Sequence, residues 1–149
     1  MLILLALASQ IIAANGDWAA IDRGASCEAE SRSLLAPAKS DEQPRIAITF
    51  DRAGPRRGEV AVHLRREARA GSSVVLTIGD QPFLLAARGS DAWSRGPRQE
   101  GAIIAAMRSG SGMRVEAHDA AGRRVADRYS LSGAPTAIDA AAARCLSKR

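Results

Sequence analysis

Aromatic side chains are nearly absent from this 149-residue sequence: two Phe, two Trp and one Tyr make up 3% of it. Binding of single-stranded nucleic acid by base stacking therefore has little to work with, and the basic residues form no Lys/Arg block that would replace it. Lysine is confined to Lys39 and Lys148, so the formal charge of +5, from 21 basic against 16 acidic residues, is carried almost entirely by arginine. Arginine pairs with phosphate and carboxylate through its planar fork. Here the arginines are spread along a chain generally rich in Ala, Arg and Gly, which disfavours a dedicated nucleic-acid surface. Cysteine and histidine occur only as Cys27, His63, His118 and Cys145, without the paired spacing of a zinc finger or ribbon. No cofactor or metal is expected. The sequence has no Gly-x-Ser-x-Gly elbow, phosphate loop or dinucleotide fingerprint, and no apolar run after Trp18 approaches the roughly 20 residues of a membrane-spanning helix.

The one long apolar run opens the chain, from Leu2 to Ala14, and ends in Ala14-Asn15-Gly16 before Asp17-Trp18. It is too short to span a bilayer but fits the apolar region of an export signal, with small residues at the cut. This predicts a signal peptide over 1–16, a mature start near Asn15 or Asp17, and one domain over 17–149 in the periplasm or outside the cell. The run has no Lys or Arg ahead of it, so a buried first strand or helix is the competing reading. Export changes how the cysteines are read: in an oxidising compartment Cys27 and Cys145 most simply form one disulfide that ties the two ends of the domain together.

The middle of the chain alternates with a period of two. Ile46, Ile48 and Phe50 alternate with polar neighbours, as do Val60, Val62 and Leu64, and the Gly/Pro-rich segment 52–58 between them predicts an antiparallel hairpin. Residues 73–78 and 81–87 flank Gly79-Asp80 as a second hairpin, with Pro82 suggesting an edge strand. Residues 113–118 and 123–131 flank Asp119-Ala120-Ala121-Gly122 as a third. Two segments turn to helical spacing: 97–109, with Pro97 at its start, and 135–145, where Ile138, Ala141, Ala142 and Cys145 share a face. The expected class is mainly β, an antiparallel β-sandwich-like domain with two short helices. Segment 36–44 has neither period and reads as an exposed loop, with a ligand-facing flap as the alternative.

Residues able to carry chemistry are few. His63 and His118 lie on the polar parity of their strands and are read as solvated, although a shared site would form if those strands came together. Asp51, Asp80, Asp91 and Asp119 sit at strand ends or turns, where aspartate caps backbone amides. Asp127 shares parity with apolar residues, so either it pairs with an arginine inside the domain or a bulge turns it to the rim; the rim is preferred. Trp18 and Trp93 are expected to anchor the core.

The order of several pieces resembles the invasion-associated locus B proteins of alphaproteobacteria. These pieces are Trp18 and Cys27 near the mature start, Leu76-Thr77-Ile78-Gly79-Asp80-Gln81-Pro82-Phe83 in the middle, and the run from Gly101 through Tyr129-Ser130-Leu131-Ser132-Gly133 to Cys145. The resemblance implies an exported β-sandwich-like domain without known catalytic residues. The expected function is a non-enzymatic binding or envelope-interaction module whose partner is a protein or envelope component of unknown identity. The alternative is a small periplasmic hydrolase or metal-dependent enzyme using His63 or His118 with a nearby aspartate. A third reading, electrostatic binding of anionic lipid or polysaccharide surfaces, requires arginines such as Arg56, Arg57, Arg65, Arg66 and Arg69 on one face.

Overall fold

The computed structural model describes residues 9–39 and 41–146. Its elements in chain order are β1 (Gln10–Asn15), β2 (Trp18–Asp22), β3 (Ser26–Arg32), β4 (Arg45–Asp51), β5 (Arg57–His63), β6 (Val74–Ile78), β7 (Gln81–Arg88), β8 (Asp91–Trp93), α1 (Pro97–Ser109), β9 (Gly112–His118), β10 (Arg124–Ser130) and α2 (Ala134–Leu146). The strands join in one antiparallel sheet ordered β1-β2-β3-β4-β5-β8-β7-β6-β9-β10. The mainly antiparallel class with two helices is as expected. The sandwich-like arrangement, however, is one continuous sheet whose ends approach each other. Near β10, Trp18 Nε1 donates to the Ser130 carbonyl at 2.8 Å, the Leu34 amide to the Arg128 carbonyl at 2.8 Å, and the Asp17 amide to the Ser132 carbonyl at 2.9 Å.

Period-two alternation sets the faces. Ile46 pairs with Val62 and Ile48 with Val60 across the first expected hairpin, all pointing inward. The Gly79-Asp80 and Asp119–Gly122 turns join the other two hairpins as read. Pro82 does not mark an edge of the whole sheet, since β7 lies between β8 and β6. It is tolerated because β8 pairs with β7 only from Ala86 to Arg88, which leaves the other side of Pro82 without a ladder to supply.

Helix α2 packs on the inner face of β1 to β5, with Ala134, Ala137, Ile138, Ala141 and Cys145 buried. Ala20 and Ala29, both fully buried, are the strand residues that allow so close an approach. Cys145 thereby reaches Cys27 on β3 and forms the disulfide, with Cα atoms 5.8 Å apart, inside the range that a bridge requires. The helix end is held a second time: Arg144 donates to Asp22 at 2.9 Å, and Arg52 donates to the same carboxylate at 2.7 Å.

Of the segment read as an export signal, residues 1–8 lie outside the described residues, and Gln10–Asn15 form edge strand β1, paired with β2. Gly133, at φ +89°, fits this arrangement closely, because a Cβ there would lie 1.9 Å from the Asn15 carbonyl oxygen. Asp127 departs from its expected rim position. Strand β10 keeps unbroken register with β9 from Arg124 to Ser130, so no bulge turns Asp127 to the rim. It is 5% exposed and bonded to Arg65 at 2.8 Å.

Candidate functional site

The outer face of β2 to β5 and β8 carries the polar half of each alternation, and strand register arranges those residues in transverse rows. One row runs Arg32 on β3, Arg45 on β4, His63 on β5, Asp91 on β8 and Arg88 on β7. The next runs Glu30, Ala47, Ala61, Trp93 and Ala86. Small side chains in the second row and long charged ones around it leave an open groove of about 500 Å³, lined by residues including Arg23, Glu28, Arg45, Thr49, Arg56 and His63. Much of its charge is internally balanced. Arg23 bridges Glu28 and Glu30, each at 2.9 Å, and Arg56 pairs with Asp51 at 2.9 Å.

His63 is the centre of this face. Its Nδ1 meets Asp91 at 3.0 Å, and its Nε2 contacts Glu42, which comes from the segment between β3 and β4. That segment is the loop expected from 36–44, and it is strapped across the sheet: Arg66 binds Asp41, Arg65 donates to the Leu35 carbonyl, and Gln43 donates to the Ser33 hydroxyl. Burial pulls the His63 pKa down, but Asp91 and Glu42 outweigh it and raise the pKa above its ordinary value. A histidine raised by folding stabilises the fold fully below its unfolded pKa of about 6.5, and that contribution is lost as pH rises through the folded value. The His63 ring resonance is accordingly expected to titrate with a midpoint above about 6.5, and Asp91→Asn to move the midpoint down. A midpoint at or below the ordinary value would contradict the bonding described.

The two histidines do not share a site. His118 is exposed at the end of β9, separated from β5 by β8, β7 and β6 in the sheet. Nor do the five arginines named for an anionic surface form a free face, because carboxylates within the domain occupy three of them. Arg56 is held by Asp51, Arg65 by Asp127, and Arg66 by Asp41 and Asp119. Asp119 does cap its turn, accepting from the Ala121 and Arg123 amides at 3.0 and 2.8 Å, while Asp80 stands exposed in its turn. Trp18 is a core anchor at 2% exposure, but Trp93, at 36%, faces outward beside Ala61.

Asp22, Cys27 and Cys145 place one ligand atom each within 4.8 Å of one another, yet both sulfurs are joined to each other, which leaves only the carboxylate. The Gly24 amide, followed by Arg144 and Arg52, outweighs burial and holds the Asp22 carboxyl below its usual range.

These features define a class: an open antiparallel sheet curled over two helices, cross-linked between its first strands and last helix, with a charged groove on its outer face. The crystal structure of invasion associated protein B from Bartonella henselae has this fold. It superposes with a TM-score of 0.67 over 93% of this chain and 100% of that chain, at 12% sequence identity. At that identity the likeness is one of fold. No protein-family profile matches the sequence, and no curated protein matches it.

Proposed function

We propose that this chain is an exported, non-enzymatic binding module that engages a component of the cell envelope through the outer face of β2 to β5 and β8. The observation that carries this reading is the groove itself, about 500 Å³ and lined by guanidinium, imidazole and carboxylate groups on rigid strands. Its volume falls within the roughly 300–1,000 Å³ of ligand sites. The His63–Asp91 pair has the carboxylate–imidazole geometry of a catalytic dyad, which keeps the hydrolase reading in play. The Nε2 that would serve as general base is, however, engaged by Glu42. Envelope extract passed over the immobilised oxidised protein is expected to leave material on the wild type that Arg45→Glu fails to retain. Equal retention by both would count against this face, and hydrolysis lost only in His63→Gln would favour the enzyme.

Export is part of the same proposal, with the mature chain starting near Asn15 or Asp17. In the uncut chain Asn15 packs on Gly133 and β1 pairs with β2, so the cut removes the edge strand and leaves β2 at the edge of the exported sheet. The intact mass of protein recovered from the envelope is expected to lack the opening apolar run. A mass that retains Met1 to Gly16 in most molecules would contradict export.

A further inference from the structure

Arg32 and Arg45 stand directly opposite each other on β3 and β4, both exposed, and neither makes a salt bridge or side-chain hydrogen bond among the described residues. The Ser33 amide donates to the Pro44 carbonyl at 3.0 Å, so the neighbouring 32/45 pair is of the close, non-hydrogen-bonded kind, which brings side chains nearest. Like charges facing each other in this way destabilise a sheet. His63 continues the row on the other side of Arg45, and the nearby carboxylates of Glu30, Asp91 and Glu42 are engaged elsewhere, the first by Arg23 and the other two by His63. Asp17, exposed in the β1–β2 turn, makes no ion pair with either arginine among the described residues.

Beside Arg32 a second groove, of about 540 Å³, mixes apolar lining from Ala19, Ile21 and Leu34 with Arg32 itself, Asp17 and Glu30. Two large apolar side chains, Leu34 and Leu35, follow Arg32 just past the end of β3 and are well exposed, at 58% and 68%. Unpaired cations next to protruding aliphatic side chains are the arrangement by which a protein lies on an anionic bilayer, with guanidinium groups at the headgroups and apolar groups below them.

We infer that the Arg32–Arg45 pair and the Leu34 and Leu35 side chains form a docking surface for an anionic phospholipid membrane. This rests on reading the outer face as a binding surface and names its partner. It also replaces Arg56, Arg57, Arg65, Arg66 and Arg69 as the residues of an anionic-surface reading.

The test is co-sedimentation of the oxidised mature chain with vesicles of phosphatidylcholine alone or mixed with phosphatidylglycerol. Binding is expected only to the mixed vesicles and is expected to weaken as salt is raised. It should fall roughly tenfold or more in R32Q/R45Q, and comparably in L34S/L35S. All four positions are exposed, so thermal midpoints near that of the wild type will confirm that both variants are folded. The salt dependence of the wild type provides a second reading that needs no variant. Absence of wild-type binding to the mixed vesicles, or unchanged binding in R32Q/R45Q, would overturn the inference. If the envelope capture depends on Arg45 while the vesicles are ignored, for example because an acidic polysaccharide binds instead, the membrane assignment fails and the binding-module reading stands.

Discussion

Cys145→Ser is expected to lower the thermal midpoint by on the order of 10–20 °C while leaving the strand signal in circular dichroism recognisable. The bridge joins residues 118 apart in sequence, and closing a loop of that length stabilises a fold by about 4–5 kcal/mol in the chain-entropy model. The packing around it shows where the loss will be felt. Cys27 is fully buried and Cys145 is 5% exposed, at the meeting of β3 and the end of α2. Arg144 and Asp22 remain to hold that end of the helix, but Arg144 is a half-exposed partner, and pairs of that kind contribute little. The reduced protein should therefore lose α2 from the sheet before the hairpins separate. Hydrogen exchange would show this as early loss of protection over residues 137–145. A midpoint unchanged by Cys145→Ser would mean that packing of α2 alone holds the fold closed.

Asp127→Ala is expected to cost a similar amount, about 3–5 kcal/mol, because it strands the Arg65 guanidinium in a nearly closed site. Arg65 and Asp127 have side chains only 12% and 6% exposed, and Arg65 Nε and Nη2 both donate to one carboxylate oxygen, at 3.0 and 2.8 Å. Arg65 also donates to the Leu35 carbonyl, so the pair connects β10 to the strap between β3 and β4. Replacing both partners, as in Arg65→Met with Asp127→Leu, should cost much less than either single change, since no buried charge is left unpaired. Chemical denaturation of the two single variants and the double variant measures this. Equal losses in Asp127→Ala and the double variant would show that the pair's charge is not what matters there.

Much of the architecture could be read from side-chain pattern, because β4, β5, β6, β9 and β10 alternate with β-branched or large apolar residues, and both helices carry apolar groups at three- and four-residue steps. Strands β2, β3 and β8 were not legible in that way. Their inward positions hold Ala20, Ala29, Ser31 and Ala92, side chains too small to give a period-two signal, and they are small because a helix or a neighbouring strand lies close above them. The opening run shows a different ambiguity, since an apolar segment that suits an export signal also suits an edge strand. At the candidate site, the outward parity of His63 was visible in sequence, and so was its distance from any metal-ligand motif. Its partners were not: Asp91 lies 28 residues away and Glu42 21, and only strand register and the strap bring them together. The same holds for Arg32 and Arg45, which lie opposite each other only because β3 and β4 pair as they do. Asp127 was misplaced for a related reason, since its partner Arg65 lies 62 residues away in the chain.

The central claim is that the outer face of β2 to β5 and β8 is where this protein meets its partner, and site-specific photo-crosslinking in the cells that make it tests this most directly. A photoreactive residue at Ala47, on the floor of the charged groove, is expected to give envelope adducts, whether lipid or protein, that are lost when Arg45 is also changed to Glu. The same residue at Ala121, in the exposed β9–β10 turn, is expected to give none. Adducts at Ala121 in equal yield, or none at Ala47 from protein shown to be folded and oxidised, would contradict the account.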